Sequence, residues 1–73
     1  MEMKINLNNI EKVKDFVEET TKHDEDMDLI SGRYVINAKS IMGIFSLDLS
    51  KPINFVIHSD DKKFLDLFKP FLV

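Results

Sequence analysis

Residues 37–47 of this chain read NAKSIMGIFSL, and they decide how the rest is interpreted. Ser40 precedes an apolar run, where a serine can cap a helix because its hydroxyl oxygen accepts a hydrogen bond from a free backbone N–H. The run predicts a helix of about two turns, from Ser40 to Leu47. A domain this small seldom exposes bulky residues on a helix, so outward-facing apolar side chains here would mark a docking surface.

The residues before this run predict a strand and an amphipathic helix. Residues 3–7 alternate apolar and polar, as in a half-buried strand. Asn8 and Asn9 can cap a helix that begins at Ile10 and ends near residues 22–23, where cations suit the negative end of the helix dipole. Its apolar residues recur at helical spacing: Ile10, Val13, Phe16 and Val17.

Two segments flanking residues 37–47 predict the rest of a sheet. Residues 27–30 and 33–37 predict a β-hairpin about the Ser31-Gly32 turn. Residues 53–58 are rich in β-branched and aromatic side chains and predict a further strand.

A last helix completes the chain. Residues 59–61 (SDD) are predicted to cap it, and Pro70 should fray or kink its final turn. The order β-α-β-β-α-β-α predicts one α+β domain, residues 1–73, with the helices on one face of an antiparallel sheet and phenylalanines filling the core. The apolar residues of the last helix are Phe64, Leu65, Leu67, Phe68, Phe71 and Leu72.

Composition excludes several classes of function. The 73 residues are 44% hydrophobic and 32% charged, as in an ordinary globular domain. Without cysteine and with two histidines, no metal or other cofactor is expected. The net charge of −3 argues against nucleic acid as a partner. No apolar run approaches the ~18 residues of a membrane span and no signal peptide is visible, so a cytoplasmic protein without membrane attachment is expected.

The element order and residues 37–47 resemble the histidine-containing phosphocarrier protein HPr of the bacterial sugar phosphotransferase system. The similarity spans nearly the whole chain and is specific at residues 39–43 (KSIMG), which match the family's regulatory-serine motif. The resemblance implies an open-faced sandwich with a four-stranded antiparallel sheet. It also implies a protein that is not itself an enzyme and whose partners are proteins.

The family's active-site histidine, at the cap of the first helix, has no counterpart here. By the resemblance, Asn9 stands at the histidine position and Glu11 at the position of an arginine. An asparagine nitrogen is not a nucleophile because its lone pair is delocalised into the carbonyl, and a Glu11 carboxylate would repel a phosphoryl group. No catalytic residue is therefore assigned, and phosphocarrier activity at this site is not expected.

Ser40 has two compatible roles. One is the helix cap, which stabilises the helix by ~1 kcal/mol. The other, which the resemblance implies, is phosphorylation by a serine kinase. A phosphate at a helix N-terminus is electrostatically favoured, so both roles can hold together.

The apolar residues of the predicted short helix fall on two sides. Ile41, Met42 and Phe45 share one stripe, and periodicity alone allows them to be core residues. The resemblance instead implies that they form the partner-binding surface. Ile44 and Leu47 lie on a different side and are the predicted core residues.

The two histidines and an acidic stretch are assigned structural roles. His23 ends a helix, and His58 precedes the acidic residues 59–61, with which it could form a histidine–carboxylate pair. No glycine-rich loop lies near His58, and no catalytic role is assigned to it. The acidic residues 24–28 lack the glycine and the distal glutamate of a calcium loop and predict a solvated turn.

The sequence thus predicts an HPr-like, non-carrier regulatory or protein-interaction module that uses the Ser40 helix. The resemblance implies as partners a serine kinase, a transcription regulator or the enzymes of the phosphotransferase system. Two alternatives remain open. The chain could be a phosphocarrier with another acceptor, or an unphosphorylated domain that only self-associates through Ile41, Met42 and Phe45.

Overall fold

A computed structural model describes residues 1–73 as a four-stranded antiparallel sheet with its helices on one face. The predicted α+β open-faced sandwich is confirmed. The elements in chain order are β1 (Glu2–Ile5), α1 (Ile10–Thr20), β2 (Met27–Ser31), β3 (Tyr34–Asn37), α2 (Ile41–Phe45), β4 (Ile53–Ile57), α3 (Lys63–Leu67) and a 3-10 turn, η1 (Lys69–Phe71).

The strand order in the sheet is β1-β4-β2-β3, and all neighbours are antiparallel. Alternation along each strand sends one set of side chains towards the helices and leaves the other on an uncovered face. In β4, for example, Ile53, Phe55 and Ile57 are buried while Asn54 is exposed.

Aromatic side chains fill the space between sheet and helices. Phe16 of α1 is fully buried, and its ring lies 4.9 Å from that of Phe55, 5.6 Å from that of Phe68 and 5.4 Å from that of Phe71. The contacts with Phe55 and Phe71 are edge-to-face, the arrangement that aromatic quadrupoles favour. Five of the six phenylalanines are core residues, and only Phe45 is exposed.

Several predicted boundaries shift by a few residues. β1 covers Glu2–Ile5 and not residues 3–7, α1 ends at Thr20 and not near residues 22–23, and α2 covers Ile41–Phe45 and not Ser40 to Leu47. Arg33 was predicted in a strand but lies in the β2–β3 turn, because Ser31 pairs with Tyr34 and leaves Gly32-Arg33 as a two-residue loop. Gly32 has φ +61, which a two-residue hairpin of this kind requires at its first position. The last α-helix ends at Leu67, and Pro70 lies in the 3-10 turn η1 that follows it, so the end of the predicted helix departs from α-helical geometry around Pro70.

The two edges of the sheet differ. The C-terminal residues cover β1, since Leu72 forms a bridge with Ile5 and the Val73 N–H donates to the Lys4 carbonyl at 3.1 Å. No strand pairs with the outer edge of β3. The sheet therefore has one edge with unpaired backbone groups.

Candidate functional site

The start of α1 is a helix cap formed by Asn9. The Lys12 N–H donates to Asn9 Oδ1 at 2.8 Å, and Asn9 has the extended backbone of an N-cap residue. Glu11 follows in the first turn, where its carboxylate suits the positive end of the helix dipole. Both side chains are exposed. The amide and the carboxylate thus stabilise the helix and offer no nucleophilic nitrogen.

Replacing Asn9 by alanine is expected to lower the free energy of unfolding by about 1 kcal/mol, because the Lys12 N–H loses its partner. Asn8→Ala is the matched control, since Asn8 is exposed and makes no side-chain hydrogen bond. Urea unfolding followed by circular dichroism measures both. Equal losses in the two variants would contradict the assignment of the cap to Asn9.

The start of α2 is also capped by a side chain. The Gly43 N–H donates to Ser40 Oγ at 3.1 Å, and the Ile44 N–H donates to the Ser40 carbonyl at 3.0 Å. A Cβ at position 43 would lie 3.2 Å from Ser40 Oγ and 3.4 Å from Ile36 Cδ1. Gly43 therefore lets the capping hydroxyl sit close against the helix.

Residues of α1 and the following loop hold the segment before Ser40 in place. The buried Thr20 hydroxyl lies 3.2 Å from the Ala38 carbonyl oxygen and 3.1 Å from that of Val17, so its proton is shared between two acceptors. Lys39 Nζ donates to the His23 carbonyl. Sequence reasoning missed Thr20, because its role depends on a carbonyl that only the tertiary fold brings near.

The stripe on α2 faces solvent. Ile41, Met42 and Phe45 are 36%, 77% and 45% exposed, whereas Ile44 is fully buried and Leu47 is partly buried against the core. These three side chains form the α2 patch (Ile41, Met42, Phe45). Contiguous exposed apolar side chains are typical of protein-binding sites, and methionine adapts readily to different partners. Partner binding by the patch stays a prediction.

Each histidine side chain contacts a carboxylate. His58 Nε2 lies 2.9 Å from Asp28 Oδ2 on the neighbouring strand, so the predicted pairing with residues 59–61 is wrong. The β2–β4 register places Asp28 beside this end of β4. His23 Nε2 lies 2.9 Å from Glu19 Oε2, and its ring packs edge-to-face on Phe64. Neither histidine has a second catalytic group in contact.

One carboxyl near α2 has a shifted pKa. Hydrogen bonds from the side chain and backbone of Ser50, with a smaller contribution from the positive charge of Lys51, lower the pKa of Asp48. Asp48 is exposed, and the same two hydrogen bonds hold the surface turn between Asp48 and Ser50. No three His, Asp or Glu side chains come together in a way that could hold a metal ion.

The fold is HPr-like. The structural neighbours of the chain are HPr phosphocarrier proteins. It aligns with the phosphocarrier protein HPr from Bacillus anthracis str. Ames with a TM-score of 0.73 and 25% identity, over 100% of this chain and 94% of the other. It aligns with HPr-C-His from Thermoanaerobacter tengcongensis with a TM-score of 0.73 and 26% identity, over 94% and 83% of the two chains.

Other comparisons add no relative. No protein-family model matches the chain, and no curated protein matches it. The structural neighbours support the HPr-like fold. In addition, none of the helices combines the length and apolar character needed to cross a bilayer.

Proposed function

We propose that this protein is a non-carrier HPr-like module that binds partner proteins through α2, under the control of Ser40. The observation that carries the proposal is the α2 patch, three exposed apolar side chains beside a capping serine. The resemblance places the family's histidine and arginine at Asn9 and Glu11. Without that pair, the retained α2 helix supplies binding rather than phosphoryl transfer.

Phosphorylation of Ser40 is the proposed means of control. No acidic residue occurs between positions 29 and 47, which we call the acid-free segment. A phosphate on Ser40 would therefore lie at the positive end of α2, with no carboxylate next to it in sequence. The Lys39 ammonium, which donates to the His23 carbonyl, would have to leave that carbonyl to pair with the phosphate. Its charge beside the α2 patch would change which partners bind there.

The partners that fit this proposal are proteins. A serine kinase would modify Ser40, and a transcription regulator or phosphotransferase-system enzyme would bind the α2 patch. These classes come from the family resemblance, and the exposed apolar side chains support them. The acidic net charge disfavours nucleic acid as a direct partner.

Two parallel reactions test the proposal by intact-protein mass spectrometry. One contains phosphoenolpyruvate and the general enzyme of the phosphotransferase system, and the other contains ATP and the serine kinase. We expect one phosphoryl group from ATP and none from phosphoenolpyruvate. Ser40→Ala should abolish the mass increase from ATP. Ser46→Ala should retain it, because the Ser46 hydroxyl lies at the other end of α2.

The alternatives give different results. Label from phosphoenolpyruvate would overturn the proposal in favour of a carrier with another acceptor. No label in either reaction would favour the unphosphorylated domain, with sedimentation analysis then reporting whether it self-associates.

Met42→Ser should slow kinase modification by about tenfold if the α2 patch docks the kinase. The control Leu65→Ser removes an exposed apolar side chain from α3, away from the α2 patch.

A further inference from the structure

The outer edge of β3 has backbone groups with no partner. The Ala38 N–H donates to the Met27 carbonyl of β2. Because backbone groups alternate in direction along a strand, the N–H and C=O groups of the even-numbered residues of β3, Tyr34 and Ile36, also point towards β2. The N–H and C=O of Val35 and the N–H of Asn37 therefore point away from the sheet. The Asn37 carbonyl is already used, because it accepts from the Ser40 N–H.

The side chains along this edge favour strand pairing. Tyr34 and Val35 are 65% and 63% exposed, and aromatic and β-branched residues pair well across strands. Natural edge strands are commonly protected by proline, an inward charge or a bulge, and β3 has none of these. The opposite edge is covered by the C-terminal residues.

The charge around β3 differs from that of the whole molecule. The chain has a net charge of −3, yet β3 lies within the acid-free segment, flanked by Arg33 and Lys39. Arg33, the single arginine, has no ion-pair partner. It lines a groove of about 430 Å³ beside the turn together with Tyr34, Lys51 and Asp48. Two cations and one carboxylate leave this groove positive.

A second copy of the chain fits this edge poorly. If two copies paired through β3, the strands would run antiparallel, and side chains opposite each other would have to lie on the same face of the joined sheet. This condition allows a register in which Val35 lies opposite Val35 of the other copy, or one in which Ile36 lies opposite Ile36. The second register sets Arg33 opposite Lys39 of the other copy. Either register brings Arg33 and Lys39 of both copies to the junction, and like charges across strands are destabilising. Asp26 and Asp28 lie beside Lys39, so the repulsion is strongest at the Arg33 end of the strand.

We propose that the outer edge of β3 binds an extended acidic segment of a partner protein by strand addition. The Val35 and Asn37 backbone groups would hydrogen-bond to the added strand, and Arg33 with Lys51 would pair with its carboxylates at the turn end. This surface is separate from the α2 patch, so the proposal does not depend on phosphorylation of Ser40.

The test uses a fluorescent peptide that alternates valine and threonine and ends in glutamates, with the full-length protein. We expect the peptide to bind at least about tenfold more tightly than its lysine-ended counterpart, and the difference should shrink in high salt. A version with methylated backbone nitrogens should not bind. In two-dimensional NMR of the protein, the chemical-shift changes caused by adding the peptide should be largest at residues 33–37.

Protein variants separate the backbone and charge contributions. Val35→Pro removes an outward N–H and leaves the β2–β3 hydrogen bonds intact, so affinity should fall about two- to tenfold while circular dichroism stays unchanged. Arg33→Glu should weaken binding similarly, and the control Lys4→Glu, which makes the same charge change on the opposite edge strand β1, should not.

Several results would overturn this proposal. They are equal binding of the acidic and basic peptides, chemical shifts centred on α2, and retained affinity in folded Val35→Pro. A stable homodimer that Val35→Pro dissociates would also overturn it, since the occupant of the edge would then be a second copy. Failure of the peptide to bind leaves the Ser40 phosphorylation result unaffected, so the two proposals are judged separately.

Discussion

Phe16→Ala is expected to lower the free energy of unfolding by about 3–5 kcal/mol, because the fully buried ring contacts three other core aromatics. A domain of this size has only ~3–5 kcal/mol of net stability. The variant should therefore be largely unfolded at 25 °C. Far-UV circular dichroism in urea measures the change, since the chain has no tryptophan to report it.

Phe45→Ala is the matched control for Phe16→Ala. It makes the same chemical change on the α2 patch, where the ring is already 45% exposed, and should cost less than about 1.5 kcal/mol. The two variants together separate core packing from exposed apolar surface. Equal destabilisation by both would mean that Phe45 is a core residue, and the α2 patch would lose its basis as a docking surface.

Under the proposed function, the double variant Asn9→His/Glu11→Arg should gain phosphoryl acceptance from phosphoenolpyruvate through the general enzyme. An imidazole at the cap of α1 supplies the missing nucleophilic nitrogen, and a guanidinium can hold the phosphoryl oxygens through two hydrogen bonds. The N–H groups of the first turn favour the added charge. Intact mass should show one phosphoryl group on the variant and none on the natural chain.

Single variants test the roles of the two positions. Glu11→Arg alone should gain no label, because it adds no nucleophile. Asn9→His alone should be labelled at least about tenfold more slowly than the double variant, since the Glu11 carboxylate repels the incoming group. A folded double variant that takes up no label would contradict the placement of Asn9 and Glu11 at the carrier positions.

Local patterns were sufficient to predict most of the architecture. The spacing of Ile10, Val13, Phe16 and Val17 predicted the buried face of α1. Val13 and Phe16 are fully buried and Val17 is partly buried, whereas Ile10 in the first turn is exposed. Asn9 was predicted as a cap and accepts the Lys12 N–H. Pro70 was expected to break the last helix, which changes there to a 3-10 turn. In each case the residues that decide the structure are neighbours in sequence.

The features that sequence reasoning missed depend on distant parts of the chain. Thr20 is buried because its hydroxyl meets the Ala38 carbonyl, and His58 contacts Asp28 because β4 pairs with β2 in one register. Leu72 completes the edge of β1 for the same kind of reason. The candidate site divides likewise: the cap at Ser40 is local, whereas the free edge of β3 follows only from the strand order.

That strand order also determines how the chain folds. β4 lies between β1 and β2, both of which precede it in sequence, so the sheet stays in two pieces until residues 53–57 dock. The β2–β3 hairpin is local and can form early. The pairing of Ile5 with Ile53 closes a loop that contains most of the chain, which costs more conformational entropy. Such high contact order slows folding. We therefore expect docking of β4 to be the slow step of folding, because the strands on either side of it, β1 and β2, cannot pair with each other.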